Sequence, residues 1–118
     1  MEFDFEPPSI NDEFCDERKL IKDYGKKTGV GIIKIIGAIE SAINAYDLMC
    51  IPQFQMHMLH GDKLGVYSLS PDNKKTRWRV LIKCINEKGE FIKPESDEIR
   101  FLKTIKKVII ERISDHYE

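Results

Sequence analysis

The chain has 118 residues, of which 42% are apolar and 33% charged, and its formal net charge is −1; this fits one globular domain over residues 1–118 and leaves little room for a second. No apolar run approaches the roughly 20 residues that cross a bilayer, and residues 1–7 carry acids where a secretory signal carries basic residues. Three scattered cysteines, Cys15, Cys50 and Cys84, suit free thiols, so we expect a cytoplasmic protein that needs no disulfide framework.

Glu2-Phe3-Asp4-Phe5-Glu6 alternates polar and apolar with period two, as a half-buried strand does, and Pro7-Pro8 stops it. Asn11 or Asp12 can cap a helix over about residues 12–24, ending at Gly25, with Phe14, Leu20, Ile21 and Tyr24 facing inward. A second helix is expected over about residues 28–46, because Ile32, Ile35, Ile36, Ile39 and Ile43 recur at three- and four-residue steps. Gly29, Gly31 and Gly37 weaken that helix but let it approach a neighbour closely. Joined through Gly25-Lys26-Lys27, the two helices should pack antiparallel.

After Pro52 the period changes. Residues 54–59, 64–69 and 76–85 read as three successive strands, with turns at Gly61-Asp62 and Ser70-Pro71-Asp72-Asn73. Such short connections make the strands antiparallel neighbours. A polar stretch from Asn86 to Lys106 reads as a loop, and residues 107–113 close the chain as a last strand. The expected fold is therefore α+β, a mostly antiparallel sheet of four to five strands packed against two N-terminal helices.

The net charge hides a gradient. Residues 1–50 hold 6 Lys+Arg against 10 Asp+Glu, residues 51–118 hold 13 against 10, and residues 51–83 hold 6 against 2 beside three aromatics and two histidines. A local basic excess of this kind draws polyanions, although an ordinary solvated face has the same composition. Two glycine motifs are decoys: Gly25-Lys26-Lys27-Thr28 lacks the earlier glycine of a P-loop, and Gly29-Val30-Gly31 lacks the third glycine of a dinucleotide fingerprint. His57 and His60 flank a turn without an evident third ligand, so we expect no metal there. They are better acid–base candidates, because imidazole titrates near neutral pH. Alternation puts Arg77 and Arg79 on one face of the expected strand with Trp78 on the other. Such a pair can clamp a phosphate or simply cover the sheet with apolar stems.

Residues 55–69, Gln-Met-His-Met-Leu-His-Gly-Asp-Lys-Leu-Gly-Val-Tyr-Ser-Leu, resemble the "RLHPLKGDRKGYWSL" pattern of HigB-type killer proteins in the RelE/ParE toxin superfamily. Arg77-Trp78-Arg79-Val80-Leu81-Ile82 looks like that family's "NWRLIF" strand. The ending Ile113-Ser114-Asp115-His116-Tyr117 is similar to its closing acidic, aromatic and histidine triplet. The resemblance spans residues 14–117, and its most specific part is the block from His57 to Gly65.

The resemblance implies a RelE-like fold and a toxin of a type II toxin–antitoxin system. Such toxins are messenger RNA interferases that inhibit translation on the ribosome and use no metal or other cofactor. Their endoribonuclease reaction drives the RNA 2′-hydroxyl onto the adjacent phosphate, giving a cyclic phosphate and a free 5′-hydroxyl. It implies His57, Arg79, Asp115, His116 and Tyr117 as catalytic residues, and His60, Lys63, Lys74, Lys75 and Arg77 as contacts to RNA. The implied partners are a HigA-like antitoxin protein, the ribosome and messenger RNA, with neither a membrane nor a small-molecule cofactor. Two positions depart from the pattern: His60 stands where lysine is usual, and His116-Tyr117 inverts the usual order. A non-catalytic protein-binding module on the same fold, or a ParE-like toxin acting on gyrase, is the alternative.

Overall fold

The computed structural model describes residues 1–59, 65–94 and 96–115. Five strands form one mixed sheet: β1 (Glu2–Phe5), β2 (His57–Met58), β3 (Val66–Leu69), β4 (Arg79–Ile85) and β5 (Lys107–Ser114). Their spatial order is β1-β5-β4-β3-β2, with β1 parallel to β5 and every other neighbouring pair antiparallel. The first strand thus pairs with the last, a join that no short-range pattern announces.

Several helices, rather than two, accompany the sheet. The expected first helix is split in two, α1 (Asn11–Cys15) and α2 (Glu17–Tyr24). The break falls at Asp16, whose extended backbone frees its carboxylate to accept from the Lys19 N–H at 3.1 Å and cap α2. The expected second helix stops sixteen residues on, as α3 (Lys26–Ser41), because Ala42 turns extended. Asp47 then accepts from the Ile43 N–H at 2.8 Å and holds the turn that leads into α4 (Tyr46–Met49). Ile43, expected on the inward stripe, is therefore 75% exposed, while Ile32, Ile35 and Ile39 are fully buried. The polar stretch after Asn86 contains a helix, α5 (Glu98–Thr104), capped by Asp97 and seated through Phe101 and Leu102.

Two strands are shorter than expected. Pro52–Phe54 forms a 3-10 turn and Gln55 adopts a left-handed conformation, so the described part of β2 that pairs with β3 is His57 and Met58, followed by a bond from the Leu59 N–H to the Val66 carbonyl oxygen at 2.9 Å. β4 starts at Arg79, so Arg77 and Trp78 belong to the preceding loop and do not alternate with Arg79 across a sheet. The turn expected at Gly61-Asp62 lies outside the described residues.

The main core sits between the helices and one sheet face, where Leu20, Ile32, Ile35 and Ile39 meet Tyr67, Leu69, Val80, Ile82 and Ile110. Opposite Leu81/Ile82 the register shifts by one, since Leu81 pairs Arg112 whereas Ile82 pairs Ile110. The extra residue, Glu111, lets Ile110 and Ile113, three apart in sequence, face the same side as Ile82 and Val80. Arg112 and Ser114 consequently turn to the other face. There a smaller apolar cluster forms from Leu59, Val66 and Leu81.

Candidate functional site

The sheet face turned away from the main core carries two of the expected site residues, His57 and Arg79. His57 pairs with Ser68, Ser68 with Leu81, and Leu81 with Arg112, so these four side chains form one row on that face. Arg79 lies two residues before Leu81 and therefore shares the face, paired with Ser114 across β5. Asp115 follows Ser114 directly and is exposed. The fold thus brings His57, Arg79 and the start of the C-terminal tail to one surface. His60, Lys63, His116 and Tyr117 lie outside the described residues.

His57 is half-buried, and its Nδ1 is 3.1 Å from the carbonyl oxygen of Gln55. A carbonyl only accepts, so this contact assigns the ring proton to Nδ1 in the neutral imidazole and makes Nε2 the basic nitrogen. The geometry follows from the left-handed backbone at Gln55, which lies two residues before His57.

Arg79 is almost wholly buried, at 1% exposure. Its Nη1 donates to the carbonyl oxygens of Thr76 and Trp78 at 2.5 and 2.7 Å. The guanidinium thereby ties the start of β4 to the loop before it.

That loop, residues 70–78, is pinned at many points. The Ser70 hydroxyl accepts from the backbone N–H of Lys74 at 2.6 Å and of Asp72 at 3.4 Å. Gln55 Nε2 donates to Asn73 Oδ1 at 2.8 Å, tying the loop to the segment before β2. Pro71 rests on α3 at Gly31, where an added Cβ would stand 1.7 Å from the Pro71 carbonyl oxygen. Trp78 packs edge-on against Tyr24, with ring centroids 4.8 Å apart, and the Arg77 guanidinium lies 5.1 Å from the Trp78 ring centre. Lys74, Lys75 and Arg77 are exposed on this fixed loop. They therefore form a preorganised cationic rim, in place of the two-arginine strand clamp expected from alternation.

Elsewhere, a cleft of about 870 Å³ lies at the far end of β4, lined by Met1, Ile43, Ile85, Ile92 and Lys106 among others. It is remote from Arg79, which begins the same strand. Burial pushes the Cys84 thiol up to about 12, and Tyr24 and Tyr67 are raised by burial and by the nearby Glu13 and Glu98 carboxylates respectively. These three groups lie on the core side and stay protonated at neutral pH. Among the described residues no three His, Cys, Asp or Glu side chains gather as a metal site would need, and no helix is long and apolar enough to cross a membrane.

Ser68 had no place among the expected site residues. It is fully buried in the middle of β3, and its Oγ has no hydrogen-bond partner among the described residues. The only available signal was a lone hydroxyl within Val66-Tyr67-Ser68-Leu69, and such residues are common in strands. No protein-family model matches the chain, and no curated protein sequence matches it.

Proposed function

We propose that the chain is an RNA-cleaving toxin of the RelE/HigB type, with a RelE-like fold, acting in the cytoplasm on messenger RNA at the ribosome and neutralised by a cognate antitoxin protein. One observation carries the reading. An imidazole with its proton held on Nδ1 shares a sheet face with Arg79, beside a rigid loop bearing Lys74, Lys75 and Arg77. Cleavage through the 2′-hydroxyl needs these elements: a base for the attacking oxygen, positive charge around the phosphorane, and cations to hold the backbone.

In this scheme His57 Nε2 takes the 2′-hydroxyl proton as that oxygen bonds to phosphorus. We assign the proton that the departing 5′-oxygen takes to Tyr117 or His116, with Asp115 orienting the site as the family resemblance implies. The products are a 2′,3′-cyclic phosphate and a 5′-hydroxyl, so no water or cofactor enters the balance. Arg79 supplies charge from beneath the face and holds the loop, while Lys74, Lys75 and Arg77, with His60 and Lys63 by resemblance, track the RNA backbone.

The burial of Arg79 and its bonds to two backbone carbonyls favour one other reading, a non-catalytic member whose guanidinium is purely architectural. Cleavage ends decide between them. Purified protein added to a translating system should yield fragments whose 5′ ends accept phosphate directly from a polynucleotide kinase. A single 2′-deoxy nucleotide at the cut should abolish cleavage there. Intact messages, or cuts that ignore the 2′-deoxy substitution, would overturn the proposal.

A further inference from the structure

We propose that the open edge of β1 takes an extended segment of a protein partner as one more strand, a segment in which basic and apolar residues alternate. The assignment does not depend on RNA cleavage, because β1 lies at the opposite edge of the sheet from β2, with β5, β4 and β3 between them. Among the described residues β1 pairs with β5 alone. The Glu2 and Glu6 N–H groups donate to the Lys106 and Ile110 carbonyl oxygens at 3.2 Å each. Backbone groups of successive residues in a parallel ladder alternate in direction, so the N–H and C=O of Phe3 and Phe5 point away from β5. No described residue bonds to them there. Such a row of unpaired backbone groups is a template for strand addition.

The two faces of β1 define the occupant. Glu2, Asp4 and Glu6 project from the face turned away from the main core, whereas Phe3 and Phe5 lie half-buried at the rim of that core. Asp4 meets Lys107 at 3.1 Å and Glu6 meets Lys83 at 3.6 Å, both on the β5 side, yet the two acidic side chains stay 67% and 59% exposed. The carboxylates therefore keep room for further cations on the open side. A second copy of the chain does not suit this edge. Twofold antiparallel pairing about Asp4 sets Asp4 against itself and Glu2 against Glu6, and like charges directly opposite one another destabilise a sheet. A segment with Lys or Arg beside the three acids, and apolar side chains beside Phe3 and Phe5, matches both faces. Shallow depressions follow the edge along residues 1–6 and reach the cleft of about 870 Å³, where the exposed Ile43 stands with Ile85, Ile92 and Ile105. That cleft takes a bulky apolar residue at the end of the segment that lies beside Glu2.

The test uses the full chain and a short fluorescein-labelled peptide in which lysine and valine alternate, with a leucine at each end. Fluorescence anisotropy should show saturable binding. The same residues in blocked order, or glutamate in place of lysine, should bind about tenfold more weakly or worse. Glu2→Lys, which changes one exposed side chain, should also weaken binding by about tenfold. Of two peptides N-methylated at the valines or at the lysines, one alone should lose binding, since only one set of N–H groups can face β1. Hydrogen exchange followed by NMR should slow at the Phe3 and Phe5 amides when the alternating peptide binds. Equal affinity for alternating and blocked peptides, with Phe3 and Phe5 exchange unchanged, would overturn strand addition and leave only charge attraction. Failure of the alternating peptide to bind would overturn the assignment as well. So would dimers of the chain alone in which the Phe3 and Phe5 amides are protected, because a second copy would then own the edge.

Discussion

Replacing Gly31 by alanine would put a methyl carbon 1.7 Å from the Pro71 carbonyl oxygen and 2.6 Å from its carbonyl carbon. These are backbone atoms of the loop that carries Lys74, Lys75 and Arg77, so no side-chain rotation relieves the overlap. Forced packing of this kind costs about 1–3 kcal/mol, set against roughly 1 kcal/mol gained from alanine in a helix interior. Gly37, on the same helix, offers the control, since an added Cβ there meets nothing within 4 Å. Gly37→Ala should stabilise the protein by about 0.5–1 kcal/mol, whereas Gly31→Ala should gain nothing and lose up to about 2 kcal/mol. At this chain length each kcal/mol shifts Tm by about 4 °C. Urea unfolding followed by circular dichroism and by the fluorescence of Trp78, the one tryptophan, measures both. The fluorescence of folded Gly31→Ala should also change, because the displaced loop carries Trp78 away from Tyr24. If Gly31→Ala proved as stable as Gly37→Ala, with unchanged fluorescence, the seating of the loop on α3 would be refuted.

Other consequences are as direct. Asp16→Ala should cost about 1 kcal/mol in urea unfolding, because it removes the cap that starts α2; an unchanged midpoint would mean that the break between α1 and α2 is unsupported. An aromatic disulfide reagent at pH 8 should titrate the exposed Cys15 and Cys50 in the folded protein, and reach Cys84 only after unfolding. Stability should also fall in alkali. The Cys84 thiol rises from 9.0 to about 12 on folding, so between those values the unfolded chain loses the proton while the folded one keeps it. That contribution is complete below pH 9 and is lost as pH climbs toward 12; Tyr24 and Tyr67, raised in the same direction, add to the loss above pH 10. Cys84→Ala should flatten the first part of this decline, and an equal slope in both proteins would contradict it.

How much of this was legible in the sequence varied with the range of the interaction. Local periodicity located β1, β5 and the body of α3, because alternation and three- and four-residue steps survive in single segments. It overextended α3, since the stop at Ala42 depends on Asp47 reaching back to Ile43. It also missed α5, whose seven residues are too few to establish a period. The error at Arg77 has the same origin: alternation is informative only inside a strand, and the side-chain bonds of Arg79 to Thr76 and Trp78 hold the preceding residues in a loop. For the site, the resemblance supplied His57 and Arg79, and strand order alone made a shared face possible. The tautomer of His57, the burial of Arg79 and the orphaned hydroxyl of Ser68 arise from contacts between segments, which residue types in order do not encode.

Inducing wild type beside His57→Gln in a bacterial host, with growth followed and cleavage ends mapped on translated messages, tests whether RNA is cut at this face. The half-buried His57 tolerates glutamine, so both proteins should fold and accumulate alike. Wild type should arrest growth and leave 5′-hydroxyl ends in translated RNA, and His57→Gln should do neither. Growth arrest by both proteins with intact messages would contradict RNA cleavage through this face and would make partner binding the function of the fold.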